Sequence, residues 1–482
     1  MKTLVRLPKD IPLIEDPKQL KAEGEALMQS QDKSLQKLRE LPSESLSFEN
    51  LAQELDRLAH EAASFFSCVY LVQNVHADES LRNAARELST AFDEWQISRS
   101  YDPIIYQKFC ELKAKKPELK PEQQRLLDRQ MKDYERMGMS LPEKDRDELK
   151  AWQTRLSELA IQYSKAINDS NLKLLVNEEE LQGLDENFIA SLPREDGKCR
   201  LSLEYPIYVP CMEYAEREEL REKLFRLKLQ VAKEENPRLL KEVLELRKKI
   251  SAKLGYASWA DFIVSDRMAK TPDRVVSFLE DLSEKLEGVF ESEKQDLQKM
   301  KREHTNQPQA ELQIWDVSFY KSLAIKKRFQ VDSLKIKEFF PLEEVLKRMF
   351  RLVESLFGLK IEEESPENGP RWHPEAKLYR VNDQDGAFIG RFYLDLHPRP
   401  GKYNHAAVFG LIYGRALSPQ DYQAPVYAMV CNFPRPHADR PSLLSHSDVE
   451  TLFHEFGHLL HGVLTRASFF QLAGTHVTRD FV

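Results

Sequence analysis

The sequence predicts a mainly α-helical protein, with a region of long helices followed by a second helical region that contains a small β-sheet. Three observations lead to this fold class. Charged residues make up 31% of the 482 residues and only 16 are glycine, a composition that suits helices. Apolar residues recur at spacings of three and four through residues 1–180. β-branched and aromatic residues become concentrated only after residue 377.

The first region, residues 1–200, is expected to consist of long amphipathic helices. Two stretches show the spacing most clearly: Leu51, Leu55, Leu58, Ala62 and Phe65, and then Leu149, Trp152, Leu156, Leu159 and Tyr163. Lys, Glu, Gln and Arg fill the positions between them, so each helix has one face to bury and one to expose. Because 482 residues exceed one ordinary core, we expect a boundary near residue 200, with residues 201–482 as the second region.

An irregular segment is predicted to follow that boundary. In residues 201–210, the pairs Tyr205-Pro206 and Val209-Pro210 restrict the residue before each proline to extended conformations, which predicts a linker or a short strand pair. Helices are then predicted with ends set by glycine or proline: 215–235, 237–254 before Gly255, one beginning at Thr271-Pro272, and 341–357 before Gly358.

A sheet of three or four strands is predicted between residues 377 and 433. Within residues 377–396, apolar runs flank Asp385-Gly386, a strong hairpin-turn signal. Residues 406–413 and 426–433 are two further apolar runs bounded by Gly, Pro or Asn. An edge of such a sheet is able to pair with the backbone of an extended peptide.

The most informative motif follows this sheet. Residues 454–458 read His-Glu-Phe-Gly-His, the HExxH pattern. On an α-helix, the side chains of His454 and His458 project from one face because they are four residues apart. Their nitrogens can then reach one zinc ion at about 2.0–2.1 Å each. Glu455 lies beside that position, where a carboxylate acts as general base toward a water that zinc activates.

The residues around the motif predict a buried helix. Ser447 and Glu450 are expected to form the capping box at its start. Apolar residues then recur nearly all round it: Leu452, Phe453, Phe456, Leu459, Leu460, Val463 and Leu464. Two histidines and a glutamate on a buried helix need partners, because unpaired polar groups there are costly. This favours a metal site over a helix whose polar side chains are merely hydrogen-bonded.

Spacing alone does not supply a third protein ligand, which a catalytic zinc site normally has. His461 lies about 10 Å from His454 along the helix axis at 1.5 Å per residue, too far to complete one tetrahedron with both histidines. The metzincin extension requires Gly at 461 and His at 464, whereas the chain has His461 and Leu464, so that class is excluded. No Glu follows Glu455, and Asp480 is the one later acidic residue.

The composition limits which binding partners and which cellular compartment are expected for this protein. A net charge of −8 leaves no basic excess to neutralise phosphates, which argues against nucleic-acid or membrane-surface partners. The N-terminus has no apolar signal region, and no run of eighteen apolar residues occurs. The cysteines are five, scattered without paired spacing: Cys68, Cys110, Cys199, Cys211 and Cys431. They are expected to be reduced thiols, and the expected location is cytoplasmic.

Residues 448–461 and 474–482 together resemble the thimet oligopeptidase, neurolysin and oligopeptidase A family of zinc metallopeptidases. Other similarities run back through the chain: 393–402, 339–342, 253–256, and Trp315-Asp316 with Phe319-Tyr320. The resemblance implies a mostly helical ellipsoid divided by a deep channel, which admits short unstructured peptides and excludes folded proteins. Residues 1–200 would form a wall of that channel, and residues 201–482 would be the catalytic region.

The resemblance also implies where the third zinc ligand lies. In that family it is the Glu that immediately follows a segment like 479–482, so the residue after Val482 would be the ligand. The family's later Tyr- and His-bearing segment, which binds substrate and stabilises the oxyanion, would also lie beyond Val482. The chain thus resembles a C-terminally incomplete peptidase, and residues 1–482 alone are expected neither to hold zinc tightly nor to cleave peptides.

The leading hypothesis is a zinc-dependent endopeptidase that acts on short oligopeptides as a monomer. His454 and His458 would bind zinc, and Glu455 would take a proton from the attacking water and deliver it to the leaving amine. Glu450 is predicted either to hold the second nitrogen of His454 or only to cap the helix. His476 is predicted either to contact substrate or to be a packing residue, and the same alternatives apply to His397, His405 and His446.

Two other hypotheses remain open at this point. One is a peptide-binding remnant that keeps the fold without a complete metal site. The other is an exopeptidase on the same scaffold, because no residue pattern distinguishes cleavage inside a peptide from cleavage at its end.

Overall fold

The computed structural model describes residues 4–6, 11–329, 333–436 and 441–482. The chain forms two compact units, one of Met1–Leu141 with Ser333–Val482 and the other of Pro142–Asp332. These units do not coincide with a boundary at residue 200. The predicted division into a channel wall and a catalytic region concerns function rather than compactness, and it stays a prediction.

The first part of unit one is helical, as the 3–4 spacing predicts. After strand β1 (Leu4–Arg6) come α1 (Pro17–Arg39), α2 (Glu54–Val75), α3 (Glu79–Ser100), α4 (Pro103–Ala114) and α5 (Pro121–Arg136). Aspartates begin three of these helices by accepting backbone N–H bonds: Asp16, Asp78 and Asp102. Leu58, Ala62 and Phe65 lie buried on α2.

Unit two is also mainly helical and contains a small antiparallel sheet. Its elements are α6 (Glu143–Asn168), β2 (Lys173–Val176), α7 (Glu186–Ser191), β3 (Arg194–Glu195), β4 (Lys198–Ser202), α8 (Tyr205–Tyr214), α9 (Glu218–Lys228), α10 (Asn236–Lys253), α11 (Trp259–Val264), α12 (Pro272–Thr305) and α13 (Val317–Phe329). The strand order is β2-β4-β3. Thr271 caps α12, as predicted, by accepting the N–H of Arg274 at 3.4 Å.

The prediction of a linker or strand pair over residues 201–210 is wrong for most of that segment. Leu201 and Ser202 are the last residues of strand β4, but residues from Tyr205 onward form helix α8. Pro206 is tolerated because it lies in the first helical turn, where a backbone N–H has no helical partner in any case. Pro210 lies inside the helix and removes one hydrogen bond, which neighbouring turns of a ten-residue helix evidently withstand.

The second part of unit one carries the sheet that precedes the HExxH motif. Its elements are α14 (Ser333–Lys337), α15 (Leu342–Phe357), β5 (Leu359–Glu363), β6 (Lys377–Asp383), β7 (Phe388–Asp395), β8 (Ala407–Ile412), β9 (Arg415–Ala416), β10 (Asp421–Gln423), β11 (Val426–Val430) and α16 (His446–Val463). The hairpin turn at Asp385-Gly386 is confirmed, with Gly386 in the left-handed region at φ +81°. Gly358, at φ +64°, ends α15 as predicted.

The main sheet has five strands rather than three or four. Their order is β5-β6-β7-β11-β8, with β7 and β11 parallel and the other pairs antiparallel. β5 escaped prediction because its sequence, Leu-Lys-Ile-Glu-Glu, is short and carries three charges. A separate three-stranded sheet joins β1, β10 and β9.

Helix α16 lies on one face of the main sheet and contacts β7, β8 and β11. Leu452, Phe456, Leu459 and Val463 are buried in one core cluster with residues of α15 and the sheet. The Phe456 ring meets that of Phe392 edge-on, with centroids 5.6 Å apart. Within the described residues, no helix is both long enough and apolar enough to cross a membrane.

Candidate metal centre

The helix that carries the motif begins two residues earlier than its predicted cap implies, because Ser445 and not Ser447 is the N-cap. The Oγ of Ser445 accepts the N–H of Asp448 at 3.1 Å while Asp448 accepts the N–H of Ser445 at 2.7 Å. The predicted capping box of Ser447 and Glu450 is therefore wrong. Ser447 already lies inside the first turn, whereas Ser445 has the extended backbone, ψ 166°, that a cap requires.

The two histidines of the motif converge on one point. Their Nε2 atoms are 3.1 Å apart, and the ring planes are nearly perpendicular at 89°. Two nitrogens that each lie about 2.0–2.1 Å from one tetrahedral zinc ion are separated by about 3.3 Å. The observed separation of the His454 and His458 nitrogens thus fits a shared metal ion.

The face of α16 that carries this pair is open, so the prediction of a helix buried nearly all round is wrong. His454 is exposed, and Glu455 and His458 are partly exposed. Phe453, counted in the predicted apolar surface, is 40% exposed. A stripe from Leu452 to Val463 is enough to hold the helix on the sheet, and the opposite face is left accessible to a metal ion and a substrate.

The described residues contain no group of three or more His, Cys, Asp or Glu side chains that could hold a metal ion. His461 lies one turn beyond His458, and its ring centroid is 6.1 Å from that of Phe481. The structure therefore brings together two of the predicted zinc ligands. The position of a third ligand after Val482 stays a prediction.

Glu455 lies near the carboxyl end of strand β11. Burial raises the pKa of the Cys431 thiol to about 12, and the negative charge of Glu455 contributes to that rise. Cys431 follows β11 directly. Glu455 thus lies within electrostatic range of the residue that follows β11, on a helix that packs against that strand.

Glu450 and His446 face each other at the exposed start of α16. The carboxylate is 3.5 Å from His446 Nδ1, and its side chain is 70% exposed. The suggested bond between Glu450 and the second nitrogen of His454 stays a prediction.

His476 lies in a cluster of aromatic rings. Its Nδ1–H donates to the Phe470 carbonyl at 2.8 Å, and its ring stacks on Tyr413 with centroids 4.9 Å apart. Burial lowers the pKa of His476. These contacts are those of a packing residue, and a contact with substrate stays a prediction.

The other two histidines considered from the sequence, His397 and His405, both lie in the loop between β7 and β8. His397 Nδ1 is 3.3 Å from the Phe433 carbonyl, and the His405 ring is 5.5 Å from that of Tyr403. Their suggested role in substrate contact also stays a prediction.

A buried ionic cluster, missed in the sequence, fixes this loop. Lys402 Nζ donates to Asp395 Oδ1 at 2.8 Å and to the carbonyls of His397 and Cys431 at 2.7 Å each. Arg399 donates to both oxygens of Asp395, at 2.7 and 2.8 Å.

Three donors determine the charge state of Asp395. Burial alone would raise its pKa, but bonds from Arg399, Lys402 and Trp372 outweigh burial and hold that pKa below its usual value. The spacing of these residues follows neither a helix nor a strand period. The one available signal was the similarity of residues 393–402 to the oligopeptidase family.

Comparison with known proteins identifies the family. The model of peptidase family M3 matches residues 211–482. Thimet-like oligopeptidase of Dictyostelium discoideum is 33% identical over 479 residues, covering 96% of this chain and 71% of that protein. Saccharolysin of Saccharomyces cerevisiae is 31% identical over 461 residues, covering 91% and 64% respectively. Oligopeptidase A of Escherichia coli is 28% identical over 438 residues, covering 87% and 64%.

A solved structure of a putative oligoendopeptidase F from Bacillus anthracis also aligns, with a TM-score of 0.42 and 14% identity over 90% of this chain and 64% of that one. The chain spans between 64% and 71% of the length of the three relatives above. The family model and the relatives confirm the resemblance drawn from residues 448–461 and 474–482. This chain belongs to peptidase family M3.

Proposed function

We propose that this protein is a zinc-dependent endopeptidase that hydrolyses short oligopeptides. The observation that carries the proposal is the convergence of the His454 and His458 nitrogens, 3.1 Å apart, on the open face of α16. The names of the relatives, thimet-like oligopeptidase and oligopeptidase A, support peptides as the substrate class. His454 and His458 would hold the metal as neutral imidazoles.

Glu455 would do the proton chemistry. Zinc, when bound, supplies a Lewis acid that polarises the scissile carbonyl and favours ionisation of water. Glu455 lies between the two histidines in sequence and is partly exposed, so its carboxylate is accessible to solvent. It would accept a proton from the attacking water and pass it to the nitrogen of the leaving amine.

The third ligand is proposed to be a carboxylate on the residue that follows Val482. Two imidazoles are one short of the three protein ligands usual in catalytic zinc sites. The resemblance suggests a Glu at that position. In the experiments below, the extended chain means residues 1–482 followed by this residue and by the segment that comes after it in an M3 peptidase.

Peptide substrates are proposed to bind along strand β8. It is an edge strand of the main sheet, and residues 407–410 are partly exposed. Helix α16 contacts the same strand. A short extended peptide would pair with this edge and present a carbonyl to the histidine face, whereas a folded domain has no free backbone to pair. Short peptides should therefore be cut and stably folded proteins left intact.

The proposed location is the cytoplasm, and the proposed state is a monomer. All five cysteines fall within the described residues and are unpaired, and four of them are buried. Unpaired thiols suit a reducing compartment.

A second candidate, peptide binding without hydrolysis, is favoured by the lack of a third metal ligand among the residues that the structure describes. The variant Glu455→Gln in the extended chain separates the two. The amide keeps the size of the side chain but cannot accept a proton, so zinc should stay bound while hydrolysis of a quenched fluorescent peptide falls by about 10²–10⁴-fold.

Glu362→Gln, an exposed change on strand β5 of the same unit, is the matched control and should keep most of the activity. If Glu455→Gln retains more than about a tenth of the activity, Glu455 is not the general base. If the unmutated extended chain binds peptides without cleaving them, the second candidate is correct.

A further inference from the structure

The segment of residues 465–476, here called the return loop, leads the chain from the end of α16 back to the same helix. Gly474 adopts the left-handed region at φ +53°, and a Cβ atom there would lie 3.2 Å from the Cα of Gly462. Beyond it, the Phe481 ring lies 6.1 Å from that of His461. Residues 474–482 therefore run beside the last turns of α16, one turn from His458.

A buried carboxylate on a distant helix holds the middle of the return loop. Asp56 of α2 is 1% exposed. Its Oδ2 accepts the N–H of Phe470 and its Oδ1 accepts the N–H of Gln471, each at 2.9 Å. Both carboxylate oxygens are thus used on two consecutive amides of the loop, and such charge-assisted bonds are among the stronger ones in proteins.

Helix α5 holds the loop at both ends. Arg129 Nη1 donates to the carbonyls of Gln471 and His476, at 2.6 Å each. Glu122 accepts the backbone N–H and the hydroxyl of Ser468, again at 2.6 Å each. The guanidinium group of Arg129 therefore connects two loop positions that are five residues apart in sequence.

Apolar contacts also hold the return loop against other elements of unit one. Phe469 is buried in the core cluster of the N-terminal helices, where its ring meets Phe48 edge-on at 5.6 Å. The next residue, Phe470, turns instead toward Tyr413, at 5.1 Å. Successive side chains of the loop are thus anchored in different parts of unit one, which leaves the loop backbone little freedom.

We propose that Asp56 and Arg129 are positioning residues of the peptidase site, which hold the return loop so that residues 474–482 lie beside the histidine-bearing helix. The proposal rests on the proposed function of α16 as the metal helix. Neither residue touches the reacting atoms. A free loop of this length samples many conformations, and ordering it on metal binding would cost conformational entropy. The bonds from α2 and α5 order it beforehand.

The test compares Asp56→Asn with a matched control, Asp102→Asn. Asp102 is also a buried aspartate of unit one that uses both oxygens: its Oδ1 accepts the consecutive amides of Ile104 at 3.0 Å and Ile105 at 3.1 Å, and its Oδ2 accepts Arg39 Nε at 2.7 Å. Those amides belong to α4 and not to the return loop. In each variant the amide group can accept through one oxygen only and presents an N–H₂ donor where the second oxygen was. Both variants should therefore lose stability.

Three readouts are measured. Hydrogen exchange of the Phe470 and Gln471 amides is followed in residues 1–482. The rate of zinc loss to a chelator and the kinetic constants kcat and KM are measured in the extended chain. Asp56→Asn should expose both amides, speed zinc loss by about 10-fold or more and lower kcat about 10-fold with little change in KM, the range seen for supports of metal ligands. Arg129→Gln should act in the same direction. Asp102→Asn should leave all three readouts close to the unmutated values.

The proposal is overturned if Asp56→Asn and Asp102→Asn change zinc loss and kcat equally for an equal fall in melting temperature. It is also overturned if Asp56→Asn exposes the two amides without changing either quantity. Failure of the proposed function looks different, because then the unmutated extended chain neither retains zinc nor cleaves peptides, and the positioning role falls with it.

Discussion

Gly462 of α16 lies directly against the ring of Tyr427 in β11, so that a Cβ atom on Gly462 would sit 2.2 Å from the ring carbon Cζ. Tyr427 is 2% exposed and belongs to the core cluster beneath the helix. The absence of a side chain at Gly462 thus allows the last turn of the metal helix to approach the central strands of the sheet.

Gly462→Ala is therefore expected to destabilise the protein. Overpacking a buried contact costs about 1–3 kcal/mol, against a gain of up to about 1 kcal/mol in helix propensity. Gly457→Ala on the same helix is the control, because nothing lies within 4 Å of its Cβ position, and it should be neutral or stabilising. Urea unfolding of the two variants measures the difference. Equal free energies of unfolding would show that the contact with Tyr427 does not limit the approach of α16.

Lys402→Met should destabilise the protein strongly. The ammonium group is fully buried, and its removal leaves Asp395 short of one cation and the carbonyls of His397 and Cys431 short of a donor. Breaking a buried ion pair costs about 3–5 kcal/mol. Lys377→Met is the control, because Lys377 pairs with Glu363 at the surface and exposed pairs contribute about 0–1 kcal/mol. A loss in Lys402→Met no larger than in Lys377→Met would contradict the structural role of the cluster.

The burial of His60 leads us to expect a specific dependence of the free energy of unfolding on pH. Its Nε2–H donates to the Tyr413 carbonyl at 2.9 Å, and burial lowers its pKa from the ordinary 6.5 to about 4. Between these pH values the unfolded chain binds a proton that the folded protein excludes, so stability falls as pH decreases from about 6.5 to about 4. At 1.36 kcal/mol per pH unit the full loss is roughly 3 kcal/mol.

His60→Gln keeps a donor near the same carbonyl but does not titrate. Its free energy of unfolding should therefore fall less steeply than that of the unmutated protein over this range, while the two curves run parallel above pH 7. The comparison is needed because Asp56, one turn away, has a pKa raised by burial and acts in the opposite direction. Parallel curves throughout would mean that His60 titrates normally in the folded protein.

Local patterns predicted the parts of this structure that local chemistry determines. The hairpin at Asp385-Gly386 and the helix end at Gly358 were predictable because each depends on the backbone freedom of one glycine. The position of His454 and His458 on one face follows from four-residue spacing alone.

The remaining features depend on contacts between residues far apart in sequence. Asp56 meets Phe470 across 414 positions, and Arg129 meets His476 across 347. Neither residue stands in a recognisable motif, and buried charges of this kind are indistinguishable in sequence from charges on a solvated helix face. The open histidine face of α16 was mispredicted for a related reason, because apolar residues such as Phe453 were assigned to the core without knowing which face the sheet covers.

The proposed metal centre is tested most directly by equilibrium zinc titration against a competing chelator, performed on residues 1–482 and on the extended chain. Two imidazoles should bind zinc weakly in residues 1–482, whereas the extended chain should take up one zinc ion per chain much more tightly, because the third protein ligand is then present. His458→Ala in the extended chain should remove that tight binding. Equal affinity in the two proteins, or tight binding that survives His458→Ala, would show that the ion is not held by the ligands proposed here.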